Sequence, residues 1–98
     1  MLLRDFVSRL PYGERRLFRQ RMASEHQVSV SLVRMWENHP APEDWSVEKR
    51  RAQVRKHPSA LASIEITELL TGNEVTRYDL RPECWVSPSE KMTGVQNG

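Results

Sequence analysis

Val28-Ser29-Val30-Ser31-Leu32-Val33-Arg34-Met35-Trp36-Glu37-Asn38 is the stretch on which the reading of this 98-residue chain turns. Serine is a strong helix N-cap, because its side-chain oxygen accepts a backbone N–H that would otherwise lack a partner, and Ser29 stands where a helix would begin. Val33 and Trp36 are three apart and face inward, supported by Val28 in the turn before them. Ser31, Arg34 and Asn38 follow at spacings of three and four on another side. The expectation is a helix from about Ser29 to Asn38 with one apolar face and one polar face of short side chains. Such a helix can enter the major groove of DNA if the helix before it holds it in position. An ordinary solvated face fits the same residues.

Upstream, Leu3, Phe6, Val7 and Leu10 form the stripe of a short amphipathic helix. Pro11-Tyr12-Gly13 makes a corner. A second helix starts at Glu14, whose charge suits the positive end of the helix dipole. Leu17, Phe18 and Met22 make its buried face, and Arg15, Arg16, Arg19 and Arg21 share the rest, stems packed and heads wet. Ser24 to Gln27 has no apolar anchor and reads as a turn or a frayed helix end. Downstream, Pro40 and Pro42 call for an irregular connection. Ser46 caps a fourth helix, Val47 to about Lys56, which carries Lys49, Arg50, Arg51, Arg55 and Lys56 and little apolar surface. His57-Pro58 ends it. A fifth runs from Ser59 through Leu70, with Leu61, Ile64 and Leu69 inward and Glu65 and Glu68 outward, and Gly72 supplies the left-handed stop. Thr76-Arg77-Tyr78-Asp79 has capping-box form, with Asp in place of the usual Glu or Gln. It starts a single turn that Leu80 and Val75 anchor. Val86 to Gly98 is polar and aperiodic, and reads as a flexible C-terminal tail.

The expected fold is therefore all-α, with about five short helices in one domain over residues 1–85 and a disordered tail over 86–98. A chain this short buries roughly 60–68% of its unfolded surface. With 38% hydrophobic residues, a large internal cavity would consume much of the core, so function is expected on the surface. The single cysteine, Cys84, reads as a small packed residue. It forms no internal disulfide, and His26, His39 and His57 lack metal-ligand spacing, so neither a metal nor another cofactor is expected. No catalytic constellation appears, and an enzyme is not expected. No apolar stretch is long enough for a membrane span, and Arg4 and Asp5 interrupt any signal-peptide core. A soluble, cytoplasmic protein is the expectation. Net charge is +2, but it is unevenly distributed: +5 through Ser59 and −3 from Ala60 onward. A basic N-terminal part suits a polyanionic partner, though a solvated charged face would look the same.

Thr71-Gly72, Val75-Thr76-Arg77 and Leu80-Arg81-Pro82 resemble the C-terminal signature of the YdaS family, Thr-Gly-Gly-x-Val-Thr-Arg-x-x-Leu-Arg-Pro, at eight positions within twelve residues. Val28-Ser29-x-Ser31-x-Val33-x-x-Trp36 resembles that family's recognition helix. These are Cro-like prophage repressors, also described as antitoxins. The resemblance implies a lambda-repressor-like helix-turn-helix domain acting on a prophage operator, and covers most of residues 2–85 with gaps. Two departures stand out. If Ala23 takes the small-residue position of the first motif helix, Gln27 falls where Gly is expected and His26 where an apolar residue is expected. If Ala23 takes the Gly position, Phe18 and Met22 fit better, Arg19 replaces an Ala, and the turn is lengthened; this second alignment is preferred. The other departure is the 40–58 segment, longer than the family's connection and carrying the basic run. It reads as an extra helix beside the DNA backbone or at a dimer contact, or as a solvated insertion.

On this reading Arg34 bonds guanine O6 and N7, and Asn38 bonds adenine N6 and N7, each through two hydrogen bonds. Ser31 and Val30 complete the base-reading set, with Met35 offering a further apolar contact to thymine methyls. Ser29, Arg15, Arg16, Arg19, Lys49 and Arg50 contact phosphates. The partner is a double-stranded DNA operator, bound by paired monomers or a homodimer on inverted half-sites about one helical turn, ~34 Å, apart. A competing function is that of an antitoxin neutralising a partner toxin by direct contact through the insertion or tail.

Overall fold

In the computed structural model, which describes residues 1–85, the chain folds as six helices, with no strand among the described residues. They are α1 (Leu3–Arg9), α2 (Tyr12–His26), α3 (Val30–Glu37), α4 (Val47–Gln53), α5 (Leu61–Leu70) and α6 (Arg77–Leu80). The tail expected over 86–98 lies outside the described residues. The core joins Leu3 and Val7 of α1, Met22 and Ala23 of α2, Val33 and Trp36 of α3, Ile64 of α5, and Val75 and Leu80. Phe6 and Phe18 pack at its edge with ring centroids 5.1 Å apart. Apart from Ala23, these are positions the apolar spacing selects, and three others it selects lie outside the core. Leu17, Leu61 and Leu69 are exposed, at 63%, 50% and 78%, because no neighbouring element covers their side of the helix.

Helix α2 continues through Ser24 and Glu25, where no apolar residue anchors it, and closes in a Schellman motif. Gln27 adopts the left-handed conformation (φ 57°), its N–H donating to the Ser24 carbonyl, while the Val28 N–H donates to the Ala23 carbonyl at 2.9 Å. Ser29 then caps α3, its hydroxyl accepting the Leu32 N–H at 3.1 Å. Gln27, Val28 and Ser29 are thus the whole turn. The lengthened turn preferred from sequence does not form: Ala23 is the small buried residue of α2, and Gln27 takes the position glycine often fills. His26 occupies the expected apolar position, as part of a polar cluster inside the core.

The 71–82 stretch closes the domain. Gly72 (φ 60°) and Asn73 (φ 65°) turn the chain after α5, and the Asn73 N–H reaches back to the Glu68 carbonyl at 2.7 Å. The Thr71 hydroxyl donates to the Thr67 carbonyl at 2.8 Å. The capping box at Thr76 and Asp79 forms as expected. Arg77 grips both carboxylate oxygens of Glu68, and Arg81 donates to the His57 carbonyl at 3.0 Å. Cys84, expected to be packed, is exposed.

Segment 40–58 contributes no α4 residue to the core. Backbone bonds hold it instead. The Arg50 guanidinium donates to the carbonyls of Pro42, Glu43 and Trp45, and the Arg55 N–H donates to the Met35 carbonyl of α3. Helix α4 ends at Gln53, short of the expected Lys56, and α5 begins at Leu61 rather than Ser59.

Candidate nucleic-acid interface

Helices α2 and α3 are locked across their contact by charge as well as by packing. Arg19 Nε and Nη2 each lie 2.9 Å from a Glu37 carboxylate oxygen, and Glu37 is buried. This fork geometry satisfies both oxygens and fixes the azimuth of α3 against α2. The paired carboxylate raises the Arg19 pKa further.

A second lock lies at the far end of α2. His57 is buried, and its Nδ1 sits 2.9 Å from the Pro58 carbonyl, which can only accept, so Nδ1 carries the proton. The neutral ring then accepts at Nε2 from the Thr67 hydroxyl, 2.6 Å away, and the same oxygen accepts from His26 Nε2 at 3.0 Å. The resulting relay, His26 to Thr67 to His57 to Pro58, ties the last residue of α2 to α5 beside the Trp36 ring, whose centroid is 5.1 Å from His26 and 4.8 Å from His57. Burial pushes the His57 pKa down to about 4, opposed by the Pro58 bond and helped by nearby His26 and Arg81. His26 is lowered too, by burial, with Glu25 opposing.

With α3 so held, Val33, Trp36 and Glu37 face inward, while Val30, Ser31 and Arg34 are exposed. Arg34 donates to no other described side chain or backbone group. It borders two clefts. One, of about 590 Å³, is bounded by Tyr12, Gly13, Arg15, Arg16, Arg19 and Arg34, at the N-terminus of the fifteen-residue helix α2. The other, of about 470 Å³, runs along α3 past Ser31, Arg34, Met35 and Asn38 to Gln53. The start of α2 offers unpaired N–H groups and the positive end of a helix dipole, a favourable place for an anion.

The sequence-selected residues divide by what already holds them. Arg15 donates to the Ser8 and Leu10 carbonyls at the end of α1, Arg19 to Glu37, and Arg50 to its own loop. Lys49 stands 4.1 Å from the centroid of the Trp45 ring. Asn38 donates one amide hydrogen to the Gln53 carbonyl at 3.0 Å, which ties its side chain to segment 40–58 and leaves its second amide hydrogen and Oδ1 available. The Ser29 hydroxyl serves as a cap. Arg16, Arg34, Ser31 and Val30 keep free side chains at the surface. Tyr12, 88% exposed, and Gln53 line the clefts and carried no periodic or motif signal in the sequence.

No described group of three His, Cys, Asp or Glu residues could hold a metal ion, and no described helix is long and apolar enough to cross a membrane. No protein family, curated protein or solved structure matches the chain.

Proposed function

We propose that this chain binds double-stranded DNA with sequence preference and regulates transcription, in the manner of a Cro-like repressor at a prophage operator. In this reading α2, the Gln27–Ser29 turn and α3 are a helix-turn-helix unit, and α3 enters the major groove. Arg34 reads guanine, Ser31 and Val30 contact neighbouring base edges, and Arg16 with the N-terminus of α2 takes the flanking phosphate. The observation that carries it is the position of Arg34. It borders both the arginine-lined cleft at the start of α2 and the cleft along the outward face of α3. A duplex laid along that line would meet phosphate-binding and base-reading groups on one rigid surface. The YdaS-like stretch at 71–82 supports the same reading, although its residues serve the fold.

The test is a footprint of the DNA flanking the protein's own coding region, repeated over a salt series. The expected result is a short protected site whose affinity falls steeply with salt, as phosphate contacts require, while its advantage over random DNA persists. Protection without sequence preference at every salt concentration, or none, would overturn the proposal.

A further inference from the structure

Helix α2 carries a second stripe that the monomer covers only in part, at Phe18. Glu14, Leu17, Phe18 and Arg21 follow at i, i+3, i+4 and i+7, the spacing of a helix-packing seam. Together with Phe6, Leu10 and Leu70 they line a groove of about 320 Å³ between α1, α2 and α5. Leu17, at the centre, is 63% exposed. Glu14 and Arg21 flank it, and neither has an ion-pair partner among the described residues. They cannot pair with each other, since seven residues place them roughly 10 Å apart along the helix.

We propose that this face binds a second copy of the same chain, α2 against α2 in antiparallel orientation about a two-fold axis near Leu17. The charges select the occupant and its direction. In an isologous contact, residue i of one copy meets residue j of the other twice. Antiparallel packing brings Glu14 against the second copy's Arg21 at both ends and buries Leu17 and Phe18 between them. Parallel packing would oppose Glu14 to Glu14 and Arg21 to Arg21, and is disfavoured. The contact is short, below about 1,200 Å² in total, so the association is weak and concentration-dependent.

The centre of the seam lies about 150–170° around α2 from Arg16 and Tyr12, and leaves the arginine cleft open in both copies. On the DNA-binding reading, such a dimer turns its two α3 helices away from each other. It therefore holds two separate DNA segments, not the adjacent halves of one short inverted repeat expected from sequence.

Sedimentation equilibrium without DNA tests the contact independently of that reading. The full chain is compared from micromolar to near-millimolar concentration with Leu17→Glu, Glu14→Arg, Arg21→Glu and the double charge swap, each checked for folding by circular dichroism. The expected result is a reversible dimer that each single variant weakens at least about tenfold, with the double swap restoring most of the affinity. A wild-type chain that stays monomeric throughout would overturn the proposal and leave the face to another protein. So would a Leu17→Glu dimer as tight as wild type, or a double swap no better than its parents.

Discussion

Arg19 on α2 and Glu37 on α3 form a two-pronged ion pair, both bonds 2.9 Å, across the contact that orients the candidate reading helix. The arginine therefore acts on the surface by aiming α3, and its charge is already committed. Arg19→Ala leaves the buried Glu37 carboxylate unpaired and is expected to cost about 2–4 kcal/mol in urea unfolding. Replacing both residues by Met and Leu is expected to recover most of that. A double variant as unstable as Arg19→Ala would show that the pair contributes more than the removal of a stranded charge.

Arg34 and Arg16 both keep free side chains, and on the proposed DNA-binding reading they meet different parts of the duplex. Arg34→Ala is expected to cost about 1–3 kcal/mol at the preferred site and to relax preference at one base. Arg16→Ala is expected to weaken all sequences alike and to reduce the magnitude of the salt slope by about 1. Fluorescence anisotropy on preferred and scrambled duplexes separates the two. Equal loss on both duplexes for Arg34→Ala would remove it from base reading.

The His26–Thr67–His57 relay makes stability depend on pH. An unfolded His57 takes up its proton near its ordinary value of 6.5, whereas the folded residue does so at about 4. Between those values the unfolded chain binds more protons. The contribution is therefore complete above about pH 6.5, declines as the pH falls toward 4, and levels off below, for at most about 3 kcal/mol. His26 shifts the same way and adds to the slope. Urea titrations across this range should show the decline in wild type and a shallower one in His57→Leu. Thr67→Val at neutral pH strands two ring nitrogens and is expected to cost about 1–3 kcal/mol.

Gln27 holds the left-handed turn with a side chain that the conformation disfavours. Gln27→Gly is expected to raise stability by about 0.5–1 kcal/mol, the relief outweighing the extra freedom of an unfolded glycine. Thermal unfolding measures it. A lower midpoint would mean that the glutamine side chain has a role in the folded chain beyond the turn.

What the sequence disclosed follows from how local each interaction is. Val33 and Trp36 inward, the Ser29 cap, the Gly72 stop and the Thr76–Asp79 box all lie within one helical turn of their partners, and each was legible. Gln27 was not, because only glycine advertises a left-handed position by its identity. The partners of Arg15 and Arg50 are carbonyl oxygens, which every residue carries, so nothing in the sequence distinguishes a structural arginine from one free to meet phosphate. Glu37 lies eighteen positions from Arg19, and only the docking of α3 on α2 brings them together. Leu17 looked like core because its spacing fits, while the packing of α1 and α5 leaves its side uncovered.

On the proposed DNA-binding reading, the bond from Asn38 to the Gln53 carbonyl also bears on how much information one copy extracts from DNA. It ties the Asn38 side chain to segment 40–58, and Val30, Ser31 and Arg34 are the base-contacting candidates whose side chains are wholly free. Three contacts specify about three base pairs, a word that recurs by chance about once in every 64. On that reading a single copy is a poor address reader, and its rare targets would be defined by how many short words stand within reach of joined copies. Gene regulation by such a chain would respond to the density and spacing of sites more than to the perfection of any one of them.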